Sequence, residues 1–170
     1  GGLRSALLAV CPFRWGIAVG GGAYFYSQSN KPPVVVAGSR APDFSYPLLG
    51  GGEARLSSYR GKVVLVNIWN TTCLECKKEM PLMQAKYQTE FKDKPFEILA
   101  ISTDHAGASV VQTFVDNLYS EDMSKVRLTF PILLDTQNEV GSTYQTVKYP
   151  ESFIVDREGN VSKIIIGRLT

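Results

Sequence analysis

The 170-residue chain predicts an α/β domain, a central mixed β-sheet flanked by helices, preceded by an N-terminal extension. Three observations carry this. Residues 62–69 form a continuous apolar, β-branched run, as in a strand buried on both faces. Segments of helical and strand character alternate after it. The last two strand-like segments lie close enough in sequence to pair as a hairpin around Arg157-Glu158-Gly159-Asn160. Composition agrees: 44% hydrophobic and 20% charged residues suffice for one well-buried core and not for two domains. The net charge of +2 comes from interspersed residues of both signs with no basic stripe, so nucleic acid is not an expected partner.

Taken in order, residues 1–27 read as a membrane anchor or signal-like segment. Between Ser5 and Tyr26 the only charge is Arg14. An arginine near mid-membrane costs about 2.5–3.5 kcal/mol on insertion scales. Either Ala6 to Tyr26 spans a bilayer with its arginine snorkelling, or Arg4 and Arg14 form a basic region before a short hydrophobic signal. A buried soluble helix fits less well, because it would have to carry Gly20-Gly21-Gly22. Cys11 follows Val10, too bulky for a lipoprotein cleavage site, and reads as a buried apolar cysteine. The opening Gly1 suggests a fragment or processed product. Residues 28–40, with Pro32-Pro33, read as a linker, and the folded domain as 41–170.

Within that domain the strand at 62–69 is followed by a helix from Cys73 to about Phe91, with Pro81 as an expected kink. A strand over 96–102 comes next, then a helix over 108–118 with Val110, Val111, Phe114, Val115 and Leu118 on one face. A short strand at 130–134, a helical turn at 138–144 and the hairpin 151–156/161–166 complete the order.

A strand leading straight into Asn70-Thr71-Thr72-Cys73 puts a cysteine at the mouth of a helix, where free N–H groups and the helix dipole favour a thiolate. Cys73 is the expected nucleophile. Cys76, three residues on, shares its face and is the expected resolving thiol. Thr72 and Glu75 have capping-box spacing, which gives Glu75 a structural role. Alternatively its carboxylate, between the sulfurs, disfavours the thiolate. A zinc site lacks ligands, since the sole histidine, His105, has no cysteine near it in sequence. A purely structural disulfide would close too small a loop to stabilise much. No metal and no cofactor are called for.

Several separated signatures resemble the exported or membrane-tethered thioredoxin-like proteins of the TlpA, ResA and CcmG type, across roughly 41–167. They are Ala41-Pro42-Asp43-Phe44, the stretch 56–67, the redox segment from Trp69 to Pro81, and Tyr149-Pro150-Glu151-Ser152-Phe153-Ile154-Val155-Asp156 with Gly159. The resemblance implies a thioredoxin fold and a cis Pro150 lying against the sulfurs. It further implies that the Tyr149 backbone and Trp69 meet substrate, and that Glu79 is buried beneath the cysteines, where it relays a proton to or from Cys76. On the residues alone, Pro150 could simply start a strand, and Glu79 could be a solvated helix residue beside Lys77 and Lys78. Asn67 departs from the buried aspartate of cytoplasmic thioredoxins. Thr72 replaces the usual tryptophan, and no proline precedes Cys76. The peroxidase pattern P-x-x-x-T-x-x-C is absent, with Asn70 in the threonine position. The domain stops directly after the hairpin, where the fold normally adds a helix over one sheet face.

The resulting expectation is an enzyme of thiol-disulfide exchange acting on disulfide-containing protein substrates. The resemblance implies a periplasmic or other extracytoplasmic location, membrane attachment by the N-terminal segment, and a membrane electron donor. It also implies a reducing direction of the cytochrome c maturation type. Two other readings remain: a soft-metal (copper) binding module using the cysteine pair, and a non-catalytic redoxin-like domain.

Overall fold

The computed structural model describes residues 34–169, so the expected anchor or signal-like segment over 1–27, Cys11 included, and the first part of the expected linker lie outside the described residues. Five strands build the main sheet in the order β5-β4-β3-β6-β7. They are β3 (Val63–Trp69), β4 (Phe96–Ser102), β5 (Ile132–Leu134), β6 (Glu151–Val155) and β7 (Val161–Ile166). The apolar run of β3 takes the centre because it has no polar face to offer water. It pairs parallel to β4 and antiparallel to β6, so the sheet is mixed as expected. The outer pairs are β4–β5, parallel, and β6–β7, antiparallel.

Helix α1 (Leu74–Lys86) runs through Pro81 and passes into a π-turn over Tyr87–Phe91, so the long expected helix divides in two. It packs with α2 (Ala108–Asp116) on one sheet face, around Trp69, Met80, Val111 and Leu118. Burying each such side chain contributes about 1.5–3 kcal/mol. The other face is covered by α3 (Glu139–Tyr144) together with a small hairpin, β1 (Ser45–Pro47) and β2 (Glu53–Arg55), which the sequence reading omitted. Tyr144 fixes that layer, its ring edge-on to Phe153 at 4.9 Å and its hydroxyl donating to Pro42 O at 2.7 Å. Across the α1 face, Leu65, Ile98 and Ile154 line an apolar hollow of about 370 Å³. Among the described residues, no helix is long and apolar enough to cross a membrane.

The fold begins before Ala41. Val35 is buried in the core, Gly38 N–H donates to Val161 O, and Ala41 N–H donates to Gly159 O. Residues 35–40, expected as linker, are therefore fastened along the β6–β7 turn. That turn is closed by Asp156, whose carboxylate accepts the Asn160 N–H at 2.7 Å. Gly159 adopts φ +90°, and a Cβ there would strike the Arg60 guanidinium.

Candidate active site

The C-terminal end of β3 delivers the chain into α1 at the upper edge of the sheet. Asp104, just beyond β4, holds this passage by accepting the Thr71 N–H at 3.0 Å and the Thr71 hydroxyl at 2.6 Å. Cys73 and Cys76 are joined as a disulfide, with Cα atoms 5.3 Å apart. Their exposures differ. Cys73 is half-buried, whereas Cys76 is 1% exposed and packs with Trp69 and Met80.

The capping box does not form. Cys73 itself is the N-cap, its Sγ accepting the Cys76 N–H at 3.1 Å. Thr72 turns away, its hydroxyl donating to Asn70 Oδ1 at 2.9 Å. Glu75 bonds Lys78 at 2.9 Å and lies 3.9 Å from Arg168. The Lys78 hydrogen bond, helped by the lysine and arginine charges, holds its carboxyl below the usual carboxylate range. Sulfur replaces the threonine hydroxyl as the acceptor that the first helical turn requires.

Glu79 lies one turn past Cys76 on the buried face of α1 and is itself 1% exposed. Its carboxylate accepts Asn67 Nδ2 at 2.8 Å on one oxygen and the Leu169 N–H at 2.5 Å on the other. Asn67 also donates to Ser152 Oγ at 2.9 Å, so β3, α1 and β6 share one polar cluster inside an apolar layer. Burial pushes the Glu79 carboxyl up, against the opposing pull of the Leu169 and Asn67 hydrogen bonds and the Arg168 charge. Asn67 thus serves a carboxylate that comes from the helix rather than from the strand.

Tyr149-Pro150 is a cis peptide, and Pro150 is buried. The register Ile68↔Glu151 sets Pro150 one step beyond, level with Trp69 and on the sheet edge that carries Cys73. The half-buried Tyr149 side chain ties this loop inward. Its hydroxyl is 3.2 Å from Thr103 Oγ1, which is equally 3.2 Å from Trp69 O, and donates to Asn138 Oδ1 at 3.4 Å. Tyr149→Phe is expected to cost about 1 kcal/mol, read as a lower urea midpoint at unchanged m-value.

Trp69 requires a correction. It was expected to meet substrate, but it is fully buried and packs on Phe114 with ring centroids 5.0 Å apart. Its carbonyl is also engaged, accepting the Thr103 N–H at 3.0 Å. One residue was missed: Glu151, buried at the start of β6, accepts the Val147 N–H at 2.9 Å and so braces the loop that carries Pro150. Burial raises its carboxyl as well. An acid heading a buried strand directly after Pro150 was the available signal. His105 is elsewhere, its Nδ1 2.6 Å from Thr136 O. Among the described residues, no cluster of three or more His, Cys, Asp or Glu side chains could hold a metal.

The model of the AhpC/TSA family matches residues 37–164. The chain belongs to that family. Among curated relatives, the thiol-disulfide oxidoreductase ResA of Geobacillus kaustophilus is 36% identical over 168 residues, 99% of this chain and 88% of that protein. The thioredoxin-like protein YneN of Bacillus subtilis is 34% identical over 148 residues, 86% of this chain and 81% of that one. Among solved structures, the thioredoxin domain of a thiol-disulfide oxidoreductase from Bacteroides vulgatus superposes with TM-score 0.63 at 29% identity, covering 79% of this chain and 89% of that one. The expected thioredoxin fold is therefore the observed one. Within the AhpC/TSA family this chain is a thiol-disulfide oxidoreductase, and disulfide-containing substrates follow from that class.

Proposed function

We propose that this chain reduces disulfides in other proteins on the extracytoplasmic side of a membrane, with Cys73 attacking and Cys76 resolving. The observation that supports the assignment is the unequal access of the two sulfurs: only Cys73 has a face open to a partner. In the reduced protein, the Cys73 thiolate attacks one sulfur of a substrate disulfide, forming a mixed disulfide and releasing the substrate's other sulfur as a thiolate. Cys76 then loses its proton and attacks Cys73 Sγ, expelling the second substrate thiolate and leaving the Cys73–Cys76 disulfide. Two electrons pass to the substrate, and two protons complete its thiols.

Glu79, one turn from Cys76, accepts the proton that Cys76 must lose. Burial raises its affinity for protons, the direction that suits a proton acceptor. The Tyr149 backbone and Pro150 form the rest of the contact with substrate. Residues 1–27 hold the domain at the membrane, and a membrane electron donor restores the dithiol. A reducing direction of the cytochrome c maturation type fits these parts.

The deciding measurement is the reduction potential of the Cys73–Cys76 pair, by equilibration with glutathione or dithiothreitol. A value near that of thioredoxin, about −270 mV, is expected, and a value near about −120 mV would make the protein an oxidant instead.

A further inference from the structure

A second surface feature starts at the redox site and runs away from it. One side of α1 stays out of the core: Leu74, Pro81, Leu82 and Ala85 recur at the spacing of a single helix face, opposite the buried Cys76, Glu79, Met80 and Met83. Two of these side chains are large, apolar and open to solvent, Leu74 at 64% and Leu82 at 46%. They form one wall of a groove of about 570 Å³.

The opposite wall is Tyr119, 43% exposed. It stands on the connection between α2 and β5, residues 117–131, which is unusually long for a compact domain. This connection is not slack. Tyr119 pairs with Lys125 as an antiparallel bridge, Ser120 N–H donates to Ser124 O at 2.9 Å, and Asp122 accepts the Ser124 N–H at 3.0 Å. Leu118, fully buried, anchors its base. A self-bonded loop that holds an aromatic ring out of the core, facing an unburied helix face, is a built wall rather than an accidental gap. Lys77 on the helix side and Glu121 on the loop side supply polar rims around the apolar floor, the usual anatomy of a protein contact.

We infer that this groove seats the polypeptide segment flanking the substrate's disulfide, and that it selects substrates with apolar side chains next to the reacting cysteine. The inference rests on the exchange reading above. Continuity is the reason for the choice of occupant: Leu74 lies between the two cysteines, so a substrate sulfur bonded to Cys73 brings its own neighbours onto the head of the groove. From Leu74 to Ala85 the helix advances about 16 Å, the length of about five extended residues. The occupant is thus a short extended stretch of an unfolded or locally open substrate.

The test uses the reduced full chain and two nine-residue peptides, each with a central cysteine in a mixed disulfide with a chromogenic thiol. One peptide has leucine and valine flanks and the other serine and glycine. Second-order rate constants for thiol release should favour the apolar peptide by at least about tenfold, the worth of seating one leucine-sized side chain. Leu82→Glu and Ala85→Glu alter exposed positions and leave the core intact; in both, the preference between peptides should fall below about twofold. Equal rates in the unaltered protein, or a preference that both variants keep, overturns the inference. So does a concentration-dependent dimer, abolished by Leu82→Glu, with no peptide preference, since the groove would then belong to a second copy. Failure to react with 2-hydroxyethyl disulfide would instead defeat the exchange reading itself.

Discussion

Cys73→Ser should abolish thiol-disulfide exchange to the uncatalysed background, whereas Cys76→Ser should still attack substrate and stop there. The asymmetry follows from access. Cys73 sits at the N-cap of α1, where its Sγ already accepts the Cys76 N–H at 3.1 Å, and the same donor and helix dipole will favour its thiolate after reduction. Cys76 is buried against Trp69 and Met80 and is bonded to Cys73 Sγ, the one other cysteine sulfur among the described residues. A Cys76→Ser protein should therefore accumulate a covalent adduct through Cys73, visible as a mass increase that disappears with dithiothreitol. Adducts formed through Cys76 in the Cys73→Ser protein would reverse the roles.

Glu79→Gln has the second largest expected effect, and it acts on rate and stability in different ways. A positioned base contributes on the order of 10²-fold or more to a proton-transfer step, so closure of the mixed disulfide by Cys76 should slow by about that factor. Its pH profile should also lose the inflection that belongs to the carboxyl. Stability responds through linkage. Burial raises the Glu79 carboxyl above its ordinary value of 4.5, so the folded protein holds this proton more tightly than the unfolded chain does. The stabilisation this gives is fully present below pH 4.5 and is lost as pH rises through the folded value. Glutamine does not titrate, but it leaves either Asn67 Nδ2 or the Leu169 N–H facing another donor, a constant loss of about 1 kcal/mol. The variant should therefore compare worst with the unaltered protein in acid and gain on it steadily toward neutral pH. Melting temperatures across pH 4 to 8 check this, and parallel curves would exclude a buried, titrating Glu79.

The parts of this arrangement legible in the sequence were those in which one residue's chemistry dictates its place. The apolar run of β3 could only be central, and two cysteines at the mouth of the following helix could only be neighbours. Pro150 and Glu79 came from resemblance, and their surroundings agree with it: the first is cis, the second buried. What failed depended on side-chain direction, which spacing does not encode. Thr72 and Glu75 have the separation of a capping box, yet the helix is capped one residue later, by the Cys73 sulfur accepting the Cys76 N–H. Trp69 stands beside the site in sequence, but strand alternation turns its ring into the core. The β1–β2 hairpin was missed because its strands are only three residues each, and the pinning of residues 35–40 because it rests on long-range pairs, such as Gly38 with Val161.

The central place of β3 also sets the tempo of motion around the sulfurs. Its amides are hydrogen-bonded within a strand flanked on both sides, by β4 and by β6, and Val64 to Trp69 are buried. Deuterium should enter this strand only when the whole domain opens, whereas residues 117–131, held mainly by their own local bonds, should exchange through small excursions. Exchange followed by mass spectrometry in the oxidised and reduced states should then register a redox difference in the first turn of α1 and the loop before Pro150, and none in β3. The reacting sulfur thus stands just past the end of a strand that opens only with the whole domain, and the compliance needed to admit and release a partner lies in the segments around it.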